Sequence, residues 1–184
     1  IIEKNSLCSF GEYVKTALGT NNAKLLIVSD DRVYSLYGDR TREALKSTGF
    51  TLAEDYVFPH GEMSKNLSNL GEILRHAADE GLTRSDCIAA LGGGVTGDMA
   101  GFAAAVYLRG IKYVSVPTSI LAMVDSSVGG KTAVDIPEGK NLVGAFHEPS
   151  LVLSDTALLS TLPEDFVSDG MAEVIKYGVL GNTA

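Results

Sequence analysis

Short apolar runs of strand length alternate with helical segments along most of this chain of 184 residues, and this order restricts the possible folds most strongly. Strands separated by helices are typical of an α/β protein with a parallel sheet, whose ligands bind at the carboxyl ends of the strands. Strands are predicted at residues 24–29, 51–59, 87–91, 113–117 and 150–154. Helices are predicted at 31–47, 64–80, 95–108 and 118–125, and a capping box of Thr161 and Glu164 predicts the start of a final helix.

The chain is acidic, with a formal net charge of −8 and a sequence pI of about 4.8. Nucleic acid and anionic membranes are therefore excluded as main partners, because both attract basic proteins. No apolar run has the length of a membrane span, and the first residues lack the basic and apolar regions of a signal peptide. Cys8 and Cys87 have neither metal nor redox spacing, and Cys87 is expected in the core. We therefore expect a cytoplasmic protein.

A glycine-rich turn, GGGVTGD at residues 92–98, follows the third predicted strand and begins a helix. It matches G-x-G-x-x-G, in which free N–H groups and the positive end of a helix can hold a pyrophosphate. No acid follows the next strand, so Asp30, at the end of the first strand, is the candidate for the carboxylate that binds a ribose. The alternative is a tight structural turn in which Asp98 only stabilises the helix N-terminus.

A second glycine-containing segment, DSSVGGKT at residues 125–132, nearly matches a P-loop. Asp125 replaces the first glycine and would repel a phosphate, and the preceding residues predict a helix where a P-loop requires a strand. We therefore exclude a nucleoside triphosphatase. Lys131, Lys140 and Asn141 can instead bind a phosphate or carboxylate, and Asp125 can accept a hydrogen bond from a hydroxyl. These cations predict a site for an anionic small molecule, and the alternative is that both lysines are solvated loop charges.

The last predicted helix is mostly apolar but carries Glu173 and Lys176 at positions i and i+3, on one face. Glu173 is a candidate metal ligand, although one carboxylate does not make a metal site. The alternative is a surface ion pair between the two side chains. The three histidines show no ligand spacing. The chain ends soon after this helix, and we expect it to be a fragment whose missing part follows Ala184.

Several segments together resemble the 3-dehydroquinate synthase family: GGGVTGDMAGFAAAVYLRG at 92–110, VPTSILAMVDSSVGGKTAVD at 116–135, GKNLVGAF at 139–146, GMAEVIKYG at 170–178 and, more loosely, GEMSK at 61–65. The resemblance implies a Rossmann-like parallel sheet flanked by helices, forming an NAD-binding domain over residues 1–160. Residues 161–184 would be the start of a helical metal and substrate domain, and would supply the first helix of an all-α C-terminal domain. Other sugar-phosphate cyclases look less similar in the 125–135 segment, and glycerol dehydrogenase and iron-type alcohol dehydrogenases are more distant.

The resemblance also implies the residues that bind the cofactor NAD. They are Asp30, His60, Gly61, Glu62, Met63, Ser64, Lys65, Gly94, Val95, Thr96, Gly97, Asp98, Thr118, Ser119, Lys131, Lys140, Leu158, Leu159, Ser160 and Thr161. His60 departs from the aspartate that is common before Gly-Glu in the family.

The substrate and metal sites are implied in the same way. Lys131 and Asn141 would bind the substrate phosphate, with a contribution from Arg109 of a neighbouring subunit in a homodimer. Asp125 and Lys176 would hold substrate hydroxyls. Glu173 would be one of three protein ligands of a divalent metal, zinc or cobalt, and the other two would be histidines in the C-terminal domain.

The implied activity is that of a lyase of the shikimate pathway, which leads to the aromatic amino acids. Its substrate is a phosphorylated sugar acid, 3-deoxy-D-arabino-heptulosonate 7-phosphate, and its products are 3-dehydroquinate and phosphate. The steps are transient oxidation by NAD, β-elimination of phosphate, re-reduction, ring opening and aldol closure, and the fragment alone is expected to be inactive. The alternatives are another sugar-phosphate cyclase, a polyol dehydrogenase similar to glycerol dehydrogenase, and an NAD-binding module without catalysis.

Overall fold

Parallel strands in the order β2-β1-β4-β5-β8 form the central sheet, and β3 also pairs with β1. The structure is a computed structural model that describes residues 1–181. The strands are β1 (Lys24–Asp30), β2 (Thr51–Leu52), β3 (Tyr56–Phe58), β4 (Cys87–Gly92), β5 (Lys112–Pro117), β6 (Lys131–Ile136), β7 (Gly139–Phe146) and β8 (Leu151–Val152). The α-helices are α1 (Phe10–Leu18), α2 (Asp31–Ser47), α3 (Leu67–Asp79), α4 (Gly94–Val106) and α5 (Glu164–Leu180). The predicted parallel sheet flanked by helices is thus confirmed.

The core has two layers, one on each face of the sheet, because successive strand residues point to opposite faces. In β1, Leu25 and Ile27 pack in the layer that includes α1 and α2, whereas Leu26 and Val28 pack in the layer that includes α3 and α4. All four side chains are fully buried, and each contributes roughly 1.5–3 kcal/mol of hydrophobic stabilisation. Cys87 is also fully buried, as predicted, and burial raises the pKa of its thiol to about 12.

Side-chain caps explain where two helices begin. The Asp30 carboxylate accepts a hydrogen bond from Val33 N at 2.9 Å, so α2 follows β1 without a loop. Asn66 accepts from Asn69 N at 2.9 Å and starts α3 three residues later than the prediction at residue 64.

The predicted capping box of Thr161 and Glu164 is wrong. Pro163 occupies the N-cap position of α5, and no side chain caps the helix there. Thr161 ends a 3₁₀ turn, Thr156–Thr161, and its hydroxyl lies 2.5 Å from the hydroxyl of Tyr37. The competing contact with α2 therefore decides the orientation of the Thr161 side chain.

Two predicted strands are also shorter than expected. The strand predicted at 51–59 is divided into β2 and β3, because Asp55 between them turns inward to bind Tyr34 and Arg42 of α2. The strand predicted at 150–154 is reduced to Leu151–Val152.

A β hairpin at residues 131–146, where no element is predicted, lies between β5 and β8 of the sheet in chain order. Strands β6 and β7 are antiparallel, with Lys131 opposite Phe146 and Val134 opposite Val143. The hairpin packs on α4, where Gly101 leaves room for Thr132: a Cβ at position 101 would lie 2.5 Å from Thr132 Cγ2. The absence of a side chain at Gly101 thus allows the hairpin to pack closely against α4.

The helix predicted at 118–125 is mainly a π-helical turn, Ala122–Ser126, and α5 packs against this turn. The contact is tight, since a Cβ on Gly170 of α5 would lie 2.6 Å from Ile120 Cβ. A turn of this kind inserts one extra residue into a helix and is frequent at functional sites. Within residues 1–181, no helix has both the length and the apolar character needed to cross a membrane.

Candidate functional site

Two adjoining clefts open at the carboxyl ends of the strands. The first has a volume of about 560 Å³ and lies between α2, the 60–65 segment, the N-terminus of α4 and the start of α5. The second has a volume of about 490 Å³ and lies between α4, the π-helical turn and the β6–β7 hairpin. Asp98 and Ser126 line both clefts. A ligand in one cleft would therefore lie next to a ligand in the other.

The glycine turn forms the floor of the first cleft. A Cβ on Gly92 would lie 2.4 Å from Thr96 Oγ1, and one on Gly94 would lie 3.1 Å from Ser126 Oγ. Helix α4 begins at Gly94 without a side-chain cap, so its first N–H groups face this cleft as hydrogen-bond donors. These groups can hold the phosphates of a dinucleotide.

Asp30 stands at the end of β1 on the wall of the same cleft. Its Oδ1 caps α2, and its Oδ2 lies 3.4 Å from Thr96 Oγ1. The carboxylate is thus held in place while it faces the cleft, as a ribose-binding acid requires.

Most residues expected to bind NAD line the first cleft, namely Asp30, His60, Gly61, Glu62, Lys65, Gly94, Val95, Thr96, Asp98, Thr118, Ser119 and Thr161. Lys131 lines the second cleft instead. Neither cleft is lined by Met63, Ser64, Gly97, Lys140, Leu158, Leu159 or Ser160. The side chain of Leu158 is buried, and its carbonyl accepts a hydrogen bond from the Tyr37 hydroxyl at 3.0 Å.

A buried lysine stands where the two clefts meet. Lys65 is 5% exposed, and its Nζ lies 2.5 Å from Asp98 Oδ2 and 2.5 Å from Asn141 Oδ1. Burial raises the pKa of Asp98 above its ordinary value, and the Lys65 ammonium opposes that increase. Lys65 therefore links α4 of the first cleft to β7 of the second.

Asn141 has a left-handed backbone, with φ of 57°, which asparagine tolerates better than most residues. Its N–H donates to Asp135 Oδ1 at 2.7 Å, and its amide oxygen accepts from Lys65. The amide nitrogen, which forms no hydrogen bond within residues 1–181, is therefore available as a donor to a ligand in the second cleft.

The second cleft combines a cation with an acceptor. Lys131 opens β6, is exposed and forms no ion pair with any residue from 1 to 181. Asp125 lines the opposite side, on the π-helical turn. Lys140, by contrast, pairs with Glu62 Oε1 at 2.9 Å, and this contact raises the pKa of Lys140. Lys131 is thus the better placed of the two lysines to bind an anion.

Helix α5 brings its charged residues to Asp125. The Tyr177 hydroxyl donates to Asp125 Oδ1 at 2.7 Å, and Lys176 Nζ lies 4.6 Å from the centre of the Tyr177 ring. Lys176 also forms an ion pair with Glu173, and this pairing raises the pKa of Lys176. The surface ion pair considered above is therefore present, and neither Glu173 nor Lys176 lines the second cleft directly.

Residues 1–181 contain no group of three histidine, cysteine, aspartate or glutamate side chains that could hold a metal ion. The histidines are engaged elsewhere: His60 with Asp31 at 2.8 Å, His76 with the Glu54 carbonyl at 2.6 Å, and His147 with the Ile111 carbonyl at 2.8 Å. Glu173 therefore has too few potential ligands around it, within residues 1–181, to complete a metal site.

Arg109 does not line the cleft that contains its predicted partners, Lys131 and Asn141. It ends the 3₁₀ turn Tyr107–Arg109, after α4 and before β5, and therefore lies toward the amino end of β5. It is exposed and lines neither cleft. Its own chain does not bring it to Lys131 and Asn141.

Two residues of this site, Ser126 and Tyr177, are not among the predicted site residues. Ser126 lies between the clefts, and Tyr177 contacts Asp125. In the sequence, the only indication of a site role for Ser126 and Tyr177 is that each directly follows a predicted site residue, Asp125 or Lys176.

Comparison with known proteins agrees with this geometry. A family model described as 3-dehydroquinate synthase N-terminal matches residues 55–169. The 3-dehydroquinate synthase of Crocosphaera subtropica is 49% identical over 182 residues, which cover 99% of this chain and 49% of the relative. That of Symbiobacterium thermophilum is 54% identical over 157 residues, covering 85% of this chain and 44% of the relative. The chain thus spans about half the length of the curated relatives it matches.

Solved structures with the same architecture include related cyclases. A 2-deoxy-scyllo-inosose synthase complexed with carbaglucose-6-phosphate, NAD+ and Co2+ has a TM-score of 0.86 and 33% identity, over 95% of this chain and 47% of that one. The 2-epi-5-epi-valiolone synthase of Streptomyces hygroscopicus, with NAD+ and Zn2+ bound, has a TM-score of 0.85 and 31% identity, over 96% and 48%. Because the family model covers more than half of the residues, the chain belongs to the 3-dehydroquinate synthase N-terminal family.

Proposed function

We propose that the full-length protein is a 3-dehydroquinate synthase, which converts 3-deoxy-D-arabino-heptulosonate 7-phosphate to 3-dehydroquinate and phosphate in the shikimate pathway. One observation carries the proposal: the cleft lined by the glycine turn and Asp30 adjoins the cleft lined by Lys131, which forms no ion pair within residues 1–181, and the two clefts share Asp98 and Ser126. This arrangement suits a reaction in which a cofactor and an anionic substrate must meet.

NAD fits the first cleft. The glycine turn excludes side chains where a pyrophosphate would approach α4, and Asp30 stands where it can bind the adenosine ribose. Glu62 and Thr118 contribute further walls. When bound, NAD supplies the transient oxidation of a ring hydroxyl, which acidifies the neighbouring C–H bond.

The second cleft would hold the substrate. Lys131 and the Asn141 amide nitrogen bind its phosphate, and Asp125 accepts a hydrogen bond from a ring hydroxyl. In the elimination step the carbon–oxygen bond to phosphate breaks and phosphate leaves with the electron pair, while one of its own oxygens takes the proton from carbon. The positive charge of Lys131 stabilises the departing phosphate.

The metal site is only partly contained in these residues. Glu173 is proposed as one ligand of a zinc or cobalt ion, and the two histidine ligands would come from a helical domain that begins within residues 161–184. Because residues 1–181 do not supply a complete ligand set, we assign no step of the reaction to the metal.

We further propose a cytoplasmic homodimer, in which Arg109 of one subunit reaches the substrate phosphate of the other. The exposed position of Arg109, away from both clefts of its own chain, supports this arrangement. The proposed NAD contacts also include residues that do not line the first cleft, namely Met63, Ser64, Gly97, Lys140, Leu158, Leu159 and Ser160.

The test uses the full-length protein with NAD and either Zn2+ or Co2+. We expect it to release inorganic phosphate from the heptulosonate phosphate and to form 3-dehydroquinate. Oxidation of glycerol instead would identify a polyol dehydrogenase, and cyclisation of a hexose 6-phosphate would identify another cyclase. Binding of NAD without turnover of any of these substrates would contradict an enzymatic function.

A further inference from the structure

The contact between Tyr177 and Asp125 joins helix α5 to the π-helical turn across 52 residues of sequence. The tyrosine hydroxyl donates to Asp125 Oδ1 at 2.7 Å. Within residues 1–181, Oδ2 of Asp125 forms no hydrogen bond. The carboxylate is therefore held by one oxygen, while the other is available to a ligand in the second cleft, which Asp125 lines.

We propose that Tyr177 is a positioning residue, which holds the Asp125 carboxylate in the orientation that accepts a substrate hydroxyl. The inference rests on the proposed function, in which Asp125 binds the substrate directly. Tyr177 itself does not line the cleft, so it acts through Asp125.

The surroundings of Tyr177 favour this role over a passive surface contact. Lys176 Nζ lies 4.6 Å from the ring centre, and a cation over an aromatic face restrains both groups. The hydrogen bond to the Asp125 carboxylate raises the pKa of Tyr177, so the hydroxyl remains a donor at neutral and moderately alkaline pH. Gly170 brings α5 against Ile120 and thus sets the distance between the helix and the turn.

Without this donor, the Asp125 side chain would rotate between several conformations and would have to be ordered whenever substrate binds. This free-energy cost of ordering Asp125 would weaken substrate binding. It would not affect NAD binding, because Asp125 does not line the NAD cleft. We therefore expect kcat/KM for the sugar acid to fall, while the affinity for NAD stays unchanged.

The experiment compares two tyrosine variants of the full-length protein. Tyr177→Phe removes only the hydroxyl, and we expect it to lower kcat/KM for the heptulosonate phosphate by about tenfold, as for loss of a hydrogen bond to a charged group. Tyr13→Phe is the matched control, because Tyr13 also donates to a carboxylate, Glu3 Oε2, at 2.7 Å but lines neither cleft. It should leave kcat/KM and the Kd of NAD at their wild-type values.

A double-mutant cycle separates positioning from a direct role. In an Asp125→Ala background, Tyr177→Phe should change the residual kcat/KM by less than about twofold, because the group it positions is gone. An equal loss in both backgrounds would overturn the inference, and so would a Tyr177→Phe enzyme with wild-type kcat/KM. Failure of the wild-type enzyme to release phosphate would instead overturn the proposed function, and with it the inference.

Discussion

Removal of the Lys65 ammonium should destabilise the protein in a way that depends on Asp98. In Lys65→Met, the Asp98 carboxylate remains mostly buried, with 17% side-chain exposure, but loses its cation. Breaking a buried pair by removing one partner costs about 3–5 kcal/mol, and the residual exposure of Asp98 reduces this to about 2–3 kcal/mol. Asn141 also loses the donor to its amide oxygen.

The assay is urea unfolding of the full-length protein, followed by far-ultraviolet circular dichroism at neutral pH. With a slope of about 2 kcal/mol per molar urea, the midpoint of Lys65→Met should fall by about 1–1.5 M. Lys15→Met, at an exposed position on α1, is the matched control and should leave the midpoint unchanged.

The stability loss of Lys65→Met should also depend on pH, through the pKa of Asp98. The pKa of Asp98 is already raised in the folded protein, and removal of Lys65 raises it further, because Lys65 lowers it. When the pKa of an acid is higher in the folded than in the unfolded state, the contribution of that acid to folding stability is fully present below the unfolded pKa. The contribution is lost as the pH rises through the folded pKa. The loss in free energy of unfolding caused by Lys65→Met should therefore be smaller at acid pH and larger toward neutral pH.

A second substitution tests the cause. Lys65→Met combined with Asp98→Asn removes both charges, so we expect most of the lost free energy of unfolding to return. The argument from an unpaired buried carboxylate is refuted if the double variant is as unstable as Lys65→Met alone. It is also refuted if the loss in free energy of unfolding of Lys65→Met does not vary with pH.

Three further outcomes are expected. Lys131→Ala should lower kcat/KM for the phosphorylated substrate by about 10- to 100-fold through loss of a charged phosphate contact, whereas Lys15→Ala should not; near-normal kinetics would contradict that role. Glu173→Gln should weaken zinc binding, measured by competition with a chelator, by more than about tenfold, with Glu164→Gln on the same helix as the control; unchanged affinity would leave Glu173 as an ion-pair partner only. Cys87 should resist iodoacetamide in the native protein, because burial raises its pKa to about 12, and should react once urea is added; rapid native labelling would refute this.

Much of the sheet could be predicted from local patterns. The β1, β4 and β5 strands are continuous apolar runs that end in recognisable turns, and α2 is started by a neighbouring acid, Asp30. The hairpin at residues 131–146 escaped prediction because its strands carry charges and glycines and become strands only by pairing with each other and packing on α4. The capping box of Thr161 failed for a similar reason, since Tyr37 competes for the same hydroxyl.

The sequence by itself determined the order of strands and helices, the glycine turn after β4 and the chemical types of the site residues, because each depends on neighbours in the chain. Only the tertiary structure decided which of these residues meet. Lys65 contacts Asp98 and Asn141, which are 33 and 76 residues away, and Tyr177 reaches Asp125 through the packing of α5. Contacts at such separations depend on how the layers of the fold stack, and short-range patterns of hydrophobicity and turn residues carry no information on that.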